Sequence, residues 1–341
     1  IFRTFLFGVA PMYTKRIIEP QIILYFSWKP LLLTTALSSI VFALYHFFNL
    51  HRIMLPMLPI ATVGTAVAFY VGFKNNASYD RLWESRKIWG EITNISRAMV
   101  AYLVSVMRGE DARKGEMVQF VYRHIAFINM LRMQLRKRNM WDDSNEYTRM
   151  SKECFSNRPF EEESVEVLNA FCPADEAALL LAKPNVATAL LQIQMKELVN
   201  FKDKGWIDAY EHSDRLRFCS DFYNHQGKAE RIKSFPFPRQ YAFFSEVFVY
   251  VFVFLLPFGL VGEFAKISPT HEWLTIPFTV LIAFVFITME KVGDTSENPF
   301  EGSMNDVPMS AICRNIEIDL KALLGETSLP EPLKAVDNIL M

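Results

Sequence analysis

Two apolar runs stand back to back near the start of the chain, and no other feature constrains its fold as much. "PLLLTTALSSIVFALYHFFNLH" lies between Lys29 and Arg52, and "IMLPMLPIATVGTAVAFYVGF" lies between Arg52 and Lys74; neither contains an Asp, Glu, Lys or Arg. Two more runs follow far downstream. One extends from Tyr241 to Val261 with Glu246 as its one charge, and the other, "WLTIPFTVLIAFVFITM", lies between Glu272 and Glu290. A bilayer core is crossed by about 20 apolar residues in a helix. The first pair meets that length comfortably and the second pair is near it. The competing reading is four helices buried in a soluble core. Covering every face of four such helices would take more surrounding chain than 341 residues supply.

Composition hides this segregation. The chain is 51 % hydrophobic and 21 % charged with a net charge of −1, close to a soluble average, because a long polar region separates the two pairs. The expected organisation is an interfacial, amphipathic segment over 1–28, two spans over 29–74, a helical cytosolic region over 75–240, two spans over 241–290 and a tail over 291–341 that packs on the cytosolic region. With two spans on either side, both termini and the middle region share one side of the membrane. The outer loops "NLHR" and "GEFAKISPTHE" hold few cations, whereas the inner flanks hold Lys15, Arg16, Lys29, Lys74, Arg81, Arg86, Lys87, Arg231, Lys233 and Arg239. The positive-inside bias puts that side in the cytoplasm, and the expected location is the cell's inner membrane. "IFRTFLFGVAPMYTKR" leads into an amphipathic stretch rather than a small-residue cleavage site, so no cleavable signal peptide is expected.

The middle region reads as helical throughout. Val118, Val121, Ile125, Ile128, Leu131 and Leu135 recur at three- and four-residue spacing, which predicts a core-packing helix with a solvated basic end. "SNRPFEEESVEVLNAF" carries Ser156 and Asn157 before a proline and an acidic first turn, a helix start. "KPNVATALLQIQMKELVNFKDKG" predicts a helix closed by Gly205. "GWIDAYEHSDRLRFCSDFYN" begins another, and "NDVPMSAICRNIEIDLKALLGE" one more, with Pro308 in its first turn and Gly325 past its end. Neither strand-like alternation nor an internal repeat is present.

Enzyme motifs are missing: there is no GxSxG, GxxxxGK[ST], HExxH or GxGxxG, and the six histidines are scattered. Cys154, Cys172, Cys219 and Cys313 form no CxxC pair and lack a histidine at ligand spacing, so buried reduced thiols are expected and structural zinc is not. The near-neutral charge and the single short basic patch "RMQLRKR" argue against nucleic acid. Function is therefore sought in the membrane. In the second run, helical spacing places Thr62, Thr65, Phe69, Phe73, Asn76 and Asp80 on one face. That face is graded from hydroxyl through phenyl to amide and carboxylate, where a lipid-facing stripe would be aliphatic. It reads either as packing against a neighbouring span or as a pore lining with an aromatic constriction. Four spans enclose a pore poorly, so a pore would need several copies around an axis. Hydrophobic constrictions can gate by dewetting. Glu246, as an acid inside a span, is a second candidate, with snorkelling or pairing to a nearby cation as the plainer reading.

Three motifs carry a family resemblance. "GFKNNASYDRLWESRKIWG" resembles the segment after the second span in bestrophin channels, G-F-[RK]-N-x-A-S-Y-x-R-[WF]-x-E-[AGS]-R, with Leu82 at the aromatic position and the tryptophan one residue later. "LLPFGLV" resembles the family's third-span LLPF, and "ENPFEGSMNDVPMSAICRNIE" resembles its tail after the fourth span. The resemblance implies an all-α membrane protein, a homopentamer with four transmembrane helices per subunit around one axial pore, no enzyme activity and no cofactor. It implies a neck at Thr65, Phe69 and Phe73, with Thr65 making the outer ring wider and wetter than the family's usual apolar residue. It places a second, cytosolic aperture at Ile207, with Met195 as the alternative, and vestibule positions at Asn76 and Asp80. Arg81, Trp83 and Glu84 become the packing and ion-pair anchor of the motif. Animal members hold calcium with a dense acidic run; here only Glu301 and Asp306 are acidic, so no such clasp is expected. The expected partners are monovalent ions, the lipid bilayer and other copies of the chain. Phenylalanine ring edges carry partial positive charge and favour anions, while Asp80, Asp203 and Asp208 favour cations, and the sequence leaves that choice open. A non-conducting scaffold or receptor is the rival reading, with a secondary transporter behind it.

Overall fold

The computed structural model describes residues 12–13, 20–107, 115–137, 160–302, 305–335 and 339–340. The described residues fall into two compact units, one drawn from 15–81 and 236–298, the other from 1–14, 82–235 and 299–341. Nearly all of the described structure is helical. The exceptions to helix and connecting turns are Met12–Tyr13 and Ile339–Leu340, which pair antiparallel as a two-residue ladder.

The first unit holds the apolar runs. Helix α1 is Pro20–His46, α2 is Met57–Val106, α8 is Arg239–Ile267 and α9 is Thr275–Ser296. All four are long and apolar enough to cross a membrane. Residues 20–28, expected in an interfacial segment, are the opening turns of α1 itself. The expected boundary at residue 74 falls inside α2, a single helix of 50 residues against the about 20 that a bilayer core requires. Ile60, Val67 and Val71 of α2 pack with Val249, Phe252, Val253 and Leu256 of α8 and with Ala283 and Ile287 of α9. The approach is close enough to need small residues: a Cβ on Gly64 would lie 2.5 Å from the Phe252 ring. On the outside, Leu32, Leu33, Ile40, Val251, Phe254, Leu281 and Val285 are exposed, the kind of apolar surface that lipid covers.

The second unit is a helical bundle. It comprises α3 (Glu116–Arg136), α4 (Phe160–Phe171), α5 (Ala174–Leu181), α6 (Val186–Asp203), α7 (Ala209–Ser234) and α10 (Met309–Leu323). Val121, Ile125, Ile128, Leu131 and Leu135 of α3 are buried at its centre, as their spacing predicts, while Val118 at its start is half-buried. Asn185 caps α6 by accepting from Thr188 N. Beyond the C-terminal end of α6, Gly205 takes a φ of 69° that a side chain would strain. Asp208 and Glu211 form a reciprocal capping box at the start of α7. Ser156 and Asn157 lie outside the described residues. Cys172, Cys219 and Cys313 are buried free thiols, each pushed up to about 12 by burial, so they remain protonated and unreactive. Cys154 lies outside the described residues.

Candidate functional site

The first unit presents one face of α2 and buries the opposite one. Ile60, Gly64, Val67, Val71, Lys74 and Ser78 are buried, whereas Thr62, Thr65, Phe69, Phe73, Asn76 and Asp80 are exposed. Phe69 is 67 % exposed and Phe73 is 73 % exposed. Thr62 and Thr65 donate their hydroxyls to Leu58 O and Ala61 O on their own helix, which satisfies them without a neighbour. The six residues read as one stripe in the sequence are therefore one exposed stripe on the subunit, with the two phenyl rings left largely uncovered by the described residues.

A buried charge cluster fixes the rotation of this helix. Lys74 follows Phe73 and points to the other side, where its ammonium donates to Glu290 and, at 2.5 Å, to Asp294 of α9. Ser245 of α8 donates to the second oxygen of Glu290 at 2.5 Å. The side chain of Lys74 is fully buried and that of Glu290 nearly so. Asn75 adds a second tie by donating to Met289 O at 3.0 Å, close to Gly293, where a Cβ would collide with the Asn75 amide oxygen. Arg81, one of the three expected anchors, donates from Nε to Glu297 O. Within the second unit, Glu84 accepts from Arg231 at 2.7 Å, and Trp83 is exposed with Lys87 beside its ring. Sequence reasoning treated Lys74 only as a flanking cation and passed over Glu290 and Asp294. Their four-residue spacing, which puts both on one face of α9, was the available signal. Glu246 is exposed on α8.

The expected aperture residue requires a correction. Ile207 is 2 % exposed and belongs to the bundle core with Leu198, Phe201 and Cys219. A side chain that fills its own subunit's core cannot line an opening. Met195, the alternative, is half-buried against the same core. Three residues past Ile207, Tyr210 on the first turn of α7 is 86 % exposed.

The loop after the fourth apolar helix is closed by one carboxylate. Phe300 and Gly302 adopt φ of 72° and 81°, which curls their amides inward. Asp306 Oδ1 accepts from Phe300 N and Val307 N, and Oδ2 accepts from Gly302 N and from Arg136 at 3.3 Å. A calcium clasp needs six to eight oxygens, several of them free carboxylate. Both oxygens of Asp306 are already engaged, with a guanidinium alongside, and Glu301 is paired with Lys233. The described residues of this loop do not fit that ion.

A third cluster makes the bundle sensitive to pH. Arg123 holds Glu176 at 2.5 Å and also Glu197, whose Oε2 is buried without a partner. Burial pushes the Glu197 carboxyl up to about 7, against the pull of Arg123. A folded-state pKa above the unfolded one favours the protonated native form. That contribution is full below about 4.5 and is lost as pH rises through about 7. The thermal midpoint of the purified protein should therefore fall across that window, and Glu197→Gln should flatten the fall. An equally steep profile in the variant would assign it to other groups.

Comparison with known proteins agrees with this architecture. Residues 16–322 match the family model described as Bacterial/Fungal Bestrophin protein. A voltage-dependent anion channel-forming protein of Ralstonia nicotianae is 30 % identical over 278 residues, 81 % of this chain and 80 % of that one. The voltage-dependent anion channel-forming protein YneE of Escherichia coli K12 is 28 % identical over 303 residues, covering 88 % and 87 %. Among solved structures, a bacterial bestrophin homologue from Klebsiella pneumoniae superposes with a TM-score of 0.72 at 25 % identity, covering 87 % of this chain and 98 % of that one.

Proposed function

The chain belongs to the bacterial/fungal bestrophin family, and from that premise we propose that it is a passive ion channel, a homopentamer around one axial pore lined by α2. The observation that carries the reading is the exposure of Phe69 and Phe73 on a helix whose opposite face is pinned by buried charges. A pair of aromatic rings left bare within the subunit finds its cover in other copies of the same helix. Copies ranged around an axis turn the pair into a narrow apolar neck, which holds water weakly. Thr65 forms the wider outer ring, and Asn76 and Asp80 line the chamber below. Arg81, Trp83 and Glu84 hold the inner half of α2 in place. Tyr210 takes the second constriction, in place of the buried Ile207. The cations flanking the spans support a cytoplasmic location for the second unit and both termini, in the inner membrane.

The conducted ion is an anion in this reading. The names of the Ralstonia and Escherichia relatives support it, as do the electropositive ring edges that the phenylalanines turn toward a central path. A cation path is the second reading, favoured by the exposed carboxylate of Asp80 on the same stripe. A planar-bilayer recording in asymmetric potassium chloride tests both. Anion conduction puts the reversal potential at the chloride equilibrium value and cation conduction at the potassium value. Silence from protein confirmed as inserted in the bilayer would favour a scaffold, as would a dimer by light scattering in detergent.

A further inference from the structure

We propose that the buried guanidinium of Arg215 is a binding site for a small monovalent anion of the halide or nitrate class. The site goes beyond the conduction pathway and does not depend on it.

Arg215 lies on the inward face of α7 and is 0 % exposed. Its Nη1 donates to Glu211 O one turn earlier. Its Nε and Nη2 are buried and have no hydrogen-bond partner among the described residues. These two nitrogens form one edge of the planar guanidinium, where two N–H groups point side by side in the fork that clasps an anion with two parallel bonds. A buried cation with that edge bare is an unfavourable arrangement that an anion would relieve. The ring of Tyr102, at 4.6 Å, covers the face of the group. That contact stabilises the charge but satisfies neither N–H. The Nε2 of His212, one turn before Arg215 on α7, is likewise buried and without a partner.

Among the described residues, the nearby acids do not serve the fork. Asp208 and Glu211 are engaged with each other's backbone amides in the capping box. Asp214 is exposed and faces Arg217 at 3.9 Å. The amino end of α7 lies one to two turns away and adds a favourable dipole, set against the charges of Glu211, Asp214 and Asp208, which also act on the guanidinium. Neither free nitrogen meets water in this conformation, so an anion enters when the half-exposed Tyr102 ring or the first turns of α7 give way. Once bound, it would tie those turns, and Tyr210 with them, to the end of α2.

Two measurements on the full chain in detergent decide the matter. Crystals grown in bromide should show an anomalous peak within hydrogen-bond reach of Arg215 Nε and Nη2. The thermal midpoint should rise by several degrees in potassium bromide or nitrate relative to potassium gluconate at equal ionic strength. Arg215→Met should abolish that rise, and Arg215→Lys, which keeps the charge but loses the fork, should remove most of it. The proposal is overturned by a bromide map with no peak there, or by a peak without stabilisation, which would mark an adventitious ion only. It is equally overturned if Arg215→Met keeps the full bromide response. Should Arg215→Met fail to fold, the bromide map of the unmodified chain and its response against gluconate still decide.

Discussion

A channel carrying Phe69→Ala and Phe73→Ala together passes a severalfold larger and leakier unitary current than the parent. Both rings stand bare on the subunit, so their removal leaves no cavity in its core, and the folded subunit should lose little stability. In the proposed pentamer their effect would belong to the assembled path. Trimming each phenyl to a methyl, in every copy, would widen the proposed neck and lower the barrier to water that a dry aromatic constriction imposes. The single variants should fall between parent and double variant. Loss of the electropositive ring edges should also move the reversal potential in asymmetric salt toward zero. Single-channel recording checks both effects. An unaltered conductance in the double variant, with assembly intact, would take both residues out of the ion path.

The spans, the exposed stripe of α2 and the glycine stops at Gly205 and Gly325 were legible because each is written in local periodicity or a short motif. Thr65, Phe69, Phe73, Asn76 and Asp80 share a face by helical geometry alone, whatever surrounds them. Ile207 was misread because counting back from a downstream motif fixes a position and not a direction. The direction was nevertheless available. Asp208 and Glu211 make a capping box, and an apolar residue just before such a cap commonly turns inward to pack. Ile207 holds that place, and the first exposed large side chain comes after the cap, at Tyr210. Counting acids around Asp306 gave too few for calcium but could not reveal that backbone amides and Arg136 already use the one buried carboxylate. The charge pin was hidden for a different reason. Lys74 and Glu290 stand 216 residues apart, and a lysine at the end of an apolar run looks the same in sequence whether it meets water or a buried acid.

Lys74→Met should destabilise the protein by about 3–5 kcal/mol, the loss expected when one partner of a buried ion pair is removed. The methionine fits the stem of the lysine, so lost packing is a minor part of the effect. The damage comes from the carboxylates of Glu290 and Asp294, left in an apolar unit without their cation. This argument makes a sharper demand than the single variant does. If the stranded charge is the cause, then Lys74→Met combined with Glu290→Gln and Asp294→Asn should recover most of the lost stability, because no charge is left uncompensated. Lys74→Arg should retain part of it. Thermal unfolding in detergent gives the stabilities, and a single-variant midpoint equal to the parent's would refute the pin. Conductance then separates stability from positioning. The recovered triple variant is folded but has no ion pair to set the rotation of α2, so Phe73 is less firmly aimed and the neck should conduct unlike the parent's. A triple variant with both parental stability and parental conductance would mean that α8 and α9 packing alone holds the helix, through Val67, Val71 and the close approach at Gly64.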